Sequence, residues 1–209
     1  MGLLELEYQS QEQLVEQFNN RAKNVHWDRM FSVYKFLKDD VNPNNFRMDE
    51  YSNFAIDTSQ PQDNEWCQTA GCIAGWAWTY EHRDEIKAMV PDLIIEFQAN
   101  PDYAGLVDAE PYLADTANYH RDAQNFLGLN HDQANELFTL EPWHSNVWYR
   151  YRKQLELAHY DDDGYLVQNK IEFRHITKGH AEHMLLKLLT GEWTFCSDNP
   201  DWEEDDNDD

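Results

Sequence analysis

Apolar residues recur at helical spacing in several blocks of the chain, separated by polar turns, and this pattern sets the expected architecture. Leu14, Phe18 and Ala22, with Val15 beside them, make the apolar face of a first helix over 10–22, capped by Ser10 with Gln13 completing a capping box. A second helix is expected over 27–37, with Met30, Phe31, Tyr34 and Leu37 inward. Asp39-Asp40-Val41-Asn42-Pro43-Asn44-Asn45 stops it. Between 46 and 64 the helical period is lost: Phe46 and Met48 alternate as in a short strand, and Pro61-Gln62-Asp63-Asn64 reads as loop.

The least polar block is Trp66-Cys67-Gln68-Thr69-Ala70-Gly71-Cys72-Ile73-Ala74-Gly75-Trp76-Ala77. Thr69 suits an N-cap, accepting from the amide of Gly71 or Cys72. Gly71 and Gly75 fall on one face beside Ala74, a surface small enough for another backbone to approach closely. Ile73, Trp76, Ala77 and Tyr80 leave the helix almost no polar side before Glu81, so it should be the central and most buried one. The spacing carries it from Ala70 into 81–88 and stops it before Pro91, which would open a further short helix over 92–97.

Asn100-Pro101 ends that helix, and Pro111 suits the start of another running towards Leu127. Gly128 closes it as a left-handed cap; Asn130 caps the next helix, with Gln133 three residues on. A last helix runs from its cap Thr177 to Leu189 and ends at Gly191, with Ala181, Met184, Leu185, Leu188 and Leu189 as its core stripe. The expected fold is therefore mainly α: one compact helical domain over 1–197 with six to eight helices, an irregular or short-strand segment near 46–64, and an acidic flexible tail over 198–209. A hydrophobic content of 41% and an aromatic content of 14% agree with a folded chain.

Charge changes the functional picture more than the pattern does. The formal net charge is −24, and the eight acids from Asp198 to Asp209 leave −16 on the rest. Such a surface repels phosphates and anionic lipid and attracts basic proteins, which excludes ordinary nucleic-acid binding. The helix pair over 123–138 has helix-turn-helix spacing, but its second helix offers Asp132 and Glu136 and no Lys or Arg, so it reads as a structural hairpin. The basic cluster Arg150, Arg152 and Lys153 is expected to neutralise acids internally. Candidate binding carboxylates are Asp161, Asp162 and Asp163, and Asp201, Glu203, Glu204, Asp205 and Asp206 around the lone aromatic Trp202. Asp161-Asp162-Asp163-Gly164 is a turn, because a calcium loop in that register would place His159 first and Lys170 last. No stretch is long and apolar enough for a membrane helix, Met1-Gly2-Leu3-Leu4 runs straight into Glu5, and Leu6 breaks the myristoylation pattern. Three cysteines, an odd number, suit reduced thiols; together these features lead to an expected cytoplasmic location.

Two constellations offer chemistry. In the first turn of the central helix, Cys72 would have its thiolate favoured by free amides, with a distal histidine such as His175, His180 or His183 as base. A buried structural cysteine is the plainer reading, and it is the one adopted. Cys67 and Cys72 have wide zinc-like spacing, but the partner pair is missing: His82 and Cys196 are remote, and His175, His180 and His183 bring no spaced carboxylate. No metal or cofactor is expected, since phosphate loop, nucleophile elbow and dinucleotide fingerprint are all lacking.

Cys67-Gln68-Thr69-Ala70-Gly71-Cys72-Ile73-Ala74-Gly75-Trp76-Ala77 resembles the Cys-Gly-Thr-x-x-Cys-x-x-Gly-Trp/His signature of a family of small uncharacterised proteins of bacteriophages and bacteria. Phe126-Leu127-Gly128-Leu129, Gln133-Ala134 and Leu137-Phe138 are similar to its second block, and the 177–189 helix to its C-terminal helix. Gln68 stands where the family has Gly, and the acidic tail is an addition. The resemblance implies a mainly helical fold and a phage or mobile-element source, with Cys67, Thr69, Gly71, Cys72, Gly75 and Trp76 as a structural motif and no catalytic residues. The expected function is a non-enzymatic acidic module, a phage-encoded inhibitor or DNA mimic, that binds a basic surface of a host protein. Two alternatives stand beside it: a cysteine-dependent hydrolase or transferase using Cys72 with His180, and a structural or virion-associated protein whose acidity is environmental.

Overall fold

The computed structural model describes residues 22–48, 55–57, 72–100, 102, 106–113, 117–139, 147–157, 159–160, 166–168 and 171–198. The fold is mainly helical, as the periodicity requires. The helix expected over 10–22 lies, apart from Ala22, outside the described residues.

Helix α1 spans Trp27–Asp39 and buries Met30, Val33, Tyr34, Phe36 and Leu37. A 3-10 turn, Pro43–Asn45, follows, with the Asn42 side chain accepting from the Asn44 amide at 2.9 Å. Helix α2, Ile73–Glu81, is the most buried element: every residue from Ile73 to Thr79 is inaccessible. Two apolar clusters meet across it. Ile73, Ala74, Trp76 and Ala77 belong to the main core with α1, while Trp78 belongs to a smaller core with Ile86, Leu93, Ile94, Phe97, Val107 and Tyr119. A helix that walls two cores has no side left for water, which explains its run of apolar and small residues. Thr79, its buried polar residue, returns its hydroxyl to the Gly75 carbonyl at 2.9 Å.

Two expectations fail in this region. The helix starts at Ile73 with Cys72 as N-cap, so neither Thr69, which lies outside the described residues, nor Ala70 begins it. It also breaks at His82, whose amide and ring Nδ1–H both donate to the Trp78 carbonyl, at 3.0 and 2.9 Å, while its ring stacks on Trp78. A new helix, α3, spans Arg83–Ala99 and runs through Pro91 without ending. Proline removes one amide and crowds the carbonyl four residues back. Here Pro91 lies on the solvent face, while Ile86, Leu93, Ile94 and Phe97 anchor both halves in the smaller core, so packing outweighs the lost bond.

Phe46 makes a single β-bridge and no strand with Met48, although both are buried as their alternation suggests; the short strand of the expected 46–64 segment lies further on. Strand β1, Ala55–Asp57, pairs antiparallel with β2, Leu106–Asp108, placing Ile56 opposite Val107. The helix expected from Pro111 to Leu127 is two elements: a single turn α4, Glu110–Leu113, and α5, Tyr119–Leu127, which Asn118 caps by accepting from the Arg121 amide. Helix α6, His131–Phe138, has the capping box read from Asn130 and Gln133. A further single turn, α7, Val147–Arg150, buries Trp148, whose indole N–H donates to the Leu137 carbonyl at the end of α6. Strands β3, His159–Tyr160, and β4, Leu166–Gln168, pair antiparallel, and the turn expected at Asp161-Asp162-Asp163-Gly164 lies outside the described residues. Helix α8, Lys178–Thr190, carries the cap Thr177, the left-handed Gly191 and the buried stripe Ala181, Met184, Leu185, Leu188 and Leu189 that its spacing predicts. A 3-10 turn, Cys196–Asp198, closes the described chain.

The loop between α5 and α6 is a Schellman turn: Gly128 has φ 68, its amide donates to Asn125, and the Leu129 amide donates to Gln124. The same pair of bonds recurs after α7, where the amides of Glu156 and Leu157 donate to Lys153 and Arg152. There the left-handed position, φ 56, is occupied by glutamate instead of glycine.

Candidate functional site

The central cysteine is the first site to test. As N-cap of α2, Cys72 is buried, and burial pushes its thiol up to about 11 against weaker opposition from the amides of Gly75 and Ala74. No histidine hydrogen-bonds it among the described residues. The helix N-terminus therefore fails to produce the thiolate that a cysteine enzyme needs, because desolvation exceeds the pull of the amides. Native Cys72 is expected to react with iodoacetamide at pH 8 at least about 100-fold more slowly than the same cysteine in unfolded chain. Peptide mass spectrometry over a time course checks this, and a fast native reaction would restore the enzyme reading.

The histidine proposed as its distal base is committed elsewhere. His180 is the third residue of α8, and its Nδ1 accepts the Thr177 amide at 3.1 Å while the Thr177 hydroxyl accepts the His180 amide. A backbone amide only donates, so His180 is neutral with its proton on Nε2. Burial lowers its pKa below 6.5, against an opposing hydrogen bond to the His175 backbone and the charge of Glu156. The native state thus binds fewer protons than the unfolded chain near pH 6. The stability this box contributes is fully present above 6.5 and is lost as pH falls through the lower native value. A glutamine at the same position supplies the acceptor at every pH. His180→Gln is expected to leave melting at pH 7.5 within about 1 kcal/mol of the native protein and to reduce the loss seen on acidification to pH 5.

His183 is exposed, and its ring lies against Trp193. Trp193 in turn stacks on Tyr151 at 4.0 Å, and the Arg150 guanidinium sits over that Tyr151 ring. Arg152 donates to the Tyr149 carbonyl at 2.8 Å. Among the described residues no group of three or more His, Cys, Asp or Glu side chains is arranged to hold a metal.

A polar cluster on α6 is the part sequence reading missed. Gln133 is fully buried: its carbonyl oxygen accepts from the Asn24 side chain at 2.7 Å and the Asn130 amide at 3.0 Å, and its Nε2 donates to Asp198 at 2.8 Å. One turn on, Glu136 is also buried and accepts from the amides of Cys196 and Ser197 at 2.6 and 2.8 Å. Glu136, which the sequence reading counted only as an acid of the hairpin's second helix, points inward and holds the 3-10 turn of the C-terminal segment. Burial raises its pKa above 4.5, partly offset by those hydrogen bonds. Burial, and then the Glu136 charge, push the neighbouring Cys196 thiol up to about 12. Asp198, expected as the first residue of a free tail, is fixed by Gln133 instead. The signal was present in the spacing: Gln133, Ala134, Glu136 and Leu137 share one helical face.

Of the other expected site residues, Gly75 and Trp76 are buried in α2. Trp76 packs edge-on to Phe36, and its indole N–H is buried without a partner among the described residues. Cys67, Gly71, Asp161, Asp162, Asp163, Asp201, Trp202, Glu203, Glu204, Asp205 and Asp206 lie outside the described residues. No protein-family model, curated protein or solved structure matches this chain. The likeness to small phage and bacterial proteins rests on the quoted residues alone. No helix among the described residues is long and apolar enough to cross a membrane.

Proposed function

We propose that this protein works by presenting carboxylates to a basic face of another protein and catalyses no reaction of its own. The observation that carries this reading is where the acids lie. The chain carries a net charge of −24, and Glu136 is the one acid recorded as buried among the described side chains. Ion pairs between described residues occupy Asp122, Glu172, Glu182 and Glu192. Acids such as Asp39, Asp40, Asp84, Glu85, Asp92 and Glu96 remain exposed to solvent. Such a field speeds encounter with cationic surfaces and repels nucleic acid. In its strongest form the carboxylates stand in for DNA phosphates and block a host DNA-binding protein, which suits the phage-like signature around Cys72.

The inaccessible, poorly ionised Cys72 and the committed His180 weigh against the cysteine-enzyme alternative. The binding reading is tested by immobilising the protein and passing bacterial lysate over it in 0.05 M NaCl. A captured basic protein should be displaced by duplex DNA and released by about 0.5 M NaCl, where screening shortens to about 4 Å. Retention of nothing basic at the lower salt overturns the proposal.

A further inference from the structure

Every exposed large hydrophobic side chain recorded among the described residues belongs to one small unit: Met89 and Ile95 on α3, 42% and 66% exposed, and Tyr112 on α4, 40% exposed. The Tyr112 ring lies edge-on to Phe97, which ties α4 to α3. Single exposed apolar residues need no explanation, but their concentration on one element does. The solvent face of α3 has a definite layout. At 3.6 residues per turn, Glu85, Asp92 and Glu96 fall within an arc of about 40° and form a row about 16 Å long. Met89 borders that row on one side, and Ala88 and Ile95 border it on the other. All three acids are exposed, and none has an ion-pair partner among the described residues. Of the two cations on α3, Lys87 falls on the opposite side of the helix from the row by its register, and Arg83 turns back over Tyr80 and donates to its carbonyl.

We propose that this face of α3 is the contact surface of the binding function above, on which the inference rests, and that its occupant is a basic amphipathic helix of a partner protein. Lysines or arginines along such a helix pair with Glu85, Asp92 and Glu96, and apolar residues on either side of them cover Met89 and Ile95. Apolar contact beside the ion pairs keeps water off them, so they count for more than pairs in open solvent. The row of like charges disfavours the other simple occupants. A second copy meeting it with its own α3 would bring carboxylate against carboxylate, and phosphate of nucleic acid or anionic lipid would be repelled.

The probe is a fluorescein-labelled synthetic peptide of leucine and lysine at amphipathic helical spacing, titrated with the full chain in 0.15 M NaCl and read by anisotropy. Met89→Ser/Ile95→Ser, which leaves the net charge unchanged, is expected to weaken binding about tenfold. Asp92→Asn/Glu96→Gln is expected to weaken it at least as much and to reduce its salt dependence. The matched control Asp39→Asn/Asp40→Asn removes two exposed charges from the C-terminal end of α1 and its cap and should change binding less than about twofold. Hydrogen exchange with the peptide bound should show added protection across 83–99. All six altered residues are exposed, and unchanged melting of each variant keeps folding out of the comparison. If the serine pair binds as the native chain does, or the control loses as much as the α3 variants, the α3 placement is overturned while the acidic-surface reading stands. If the peptide is not held even at 0.05 M NaCl, both fall.

Discussion

Gly128→Ala is expected to destabilise the protein by about 3 kcal/mol in urea unfolding, a large loss for one methyl group. Part comes from the backbone: at φ 68 an L side chain is strained by about 1 kcal/mol. The larger part is steric. A Cβ there would sit 2.3 Å from the Asn24 carbonyl oxygen and 2.9 Å from the His26 ring. The first of these is backbone and cannot rotate away. Relief requires moving the segment whose His26 amide donates to Leu127 and whose Asn24 and Arg29 side chains donate to Gly128 and Phe126. Gly191→Ala, at an exposed left-handed position with φ 71, should cost only about 1 kcal/mol. Equal losses at the two glycines would mean that the Asn24 contact carries no weight.

Glu136→Ala is expected to cost about 2–3 kcal/mol at pH 7, because it strips the acceptors from two amides, one of them buried. The loss should also be local. With the carboxylate gone, the Cys196–Asp198 turn keeps only the Gln133–Asp198 hydrogen bond to α6, and the Cys196 thiol should become alkylatable while Cys72 stays protected. Glu136→Gln should lose less, since it keeps one acceptor and no longer buries a charge. Burial raises the pKa of Glu136, so the native carboxyl takes up its proton at a higher pH than the unfolded one. Its linked contribution to stability is therefore present in full below 4.5 and falls away as pH rises through the raised native value. The difference between Glu136→Gln and the native chain should shift in favour of the variant between pH 4 and pH 7. A Cys196 that stays inert in Glu136→Ala would show that the turn is held by its apolar neighbours alone.

Helix caps were the most legible part of the fold. Thr177, Asn130, Gly128 and Gly191 act through bonds that span four or five residues, so their chemistry is complete within a short window of sequence. Pro91 and His82 were misread because the decision there is tertiary. Burial of Leu93, Ile94 and Phe97 carries α3 past a residue that local rules treat as a stop, and the Trp78–His82 stack helps end α2 where apolar periodicity would continue it. Glu156 takes the left-handed position of a Schellman turn with no glycine to announce it. At the candidate site, the burial of Cys72 followed from its apolar neighbours. The inward turn of Glu136 did not, because only the distant Cys196 and Ser197 amides give a buried carboxylate its partners. The α3 face was equally hidden: a helix split at Pro91 in the sequence reading could not present one continuous row of acids.

The Asn24–Arg29 stretch finds its partners about a hundred residues later in the chain. During synthesis at about 5–20 residues per second, it waits roughly 5–20 s before Phe126, Leu127 and Gly128 exist. Through that interval α1 can coil and meet α2, but its beginning is not yet tied down. The turn between α5 and α6 closes on local bonds as soon as it is made. That hairpin ties down the beginning of the chain, but the face of α1 that packs on α8 is covered only once Lys178–Thr190 has emerged.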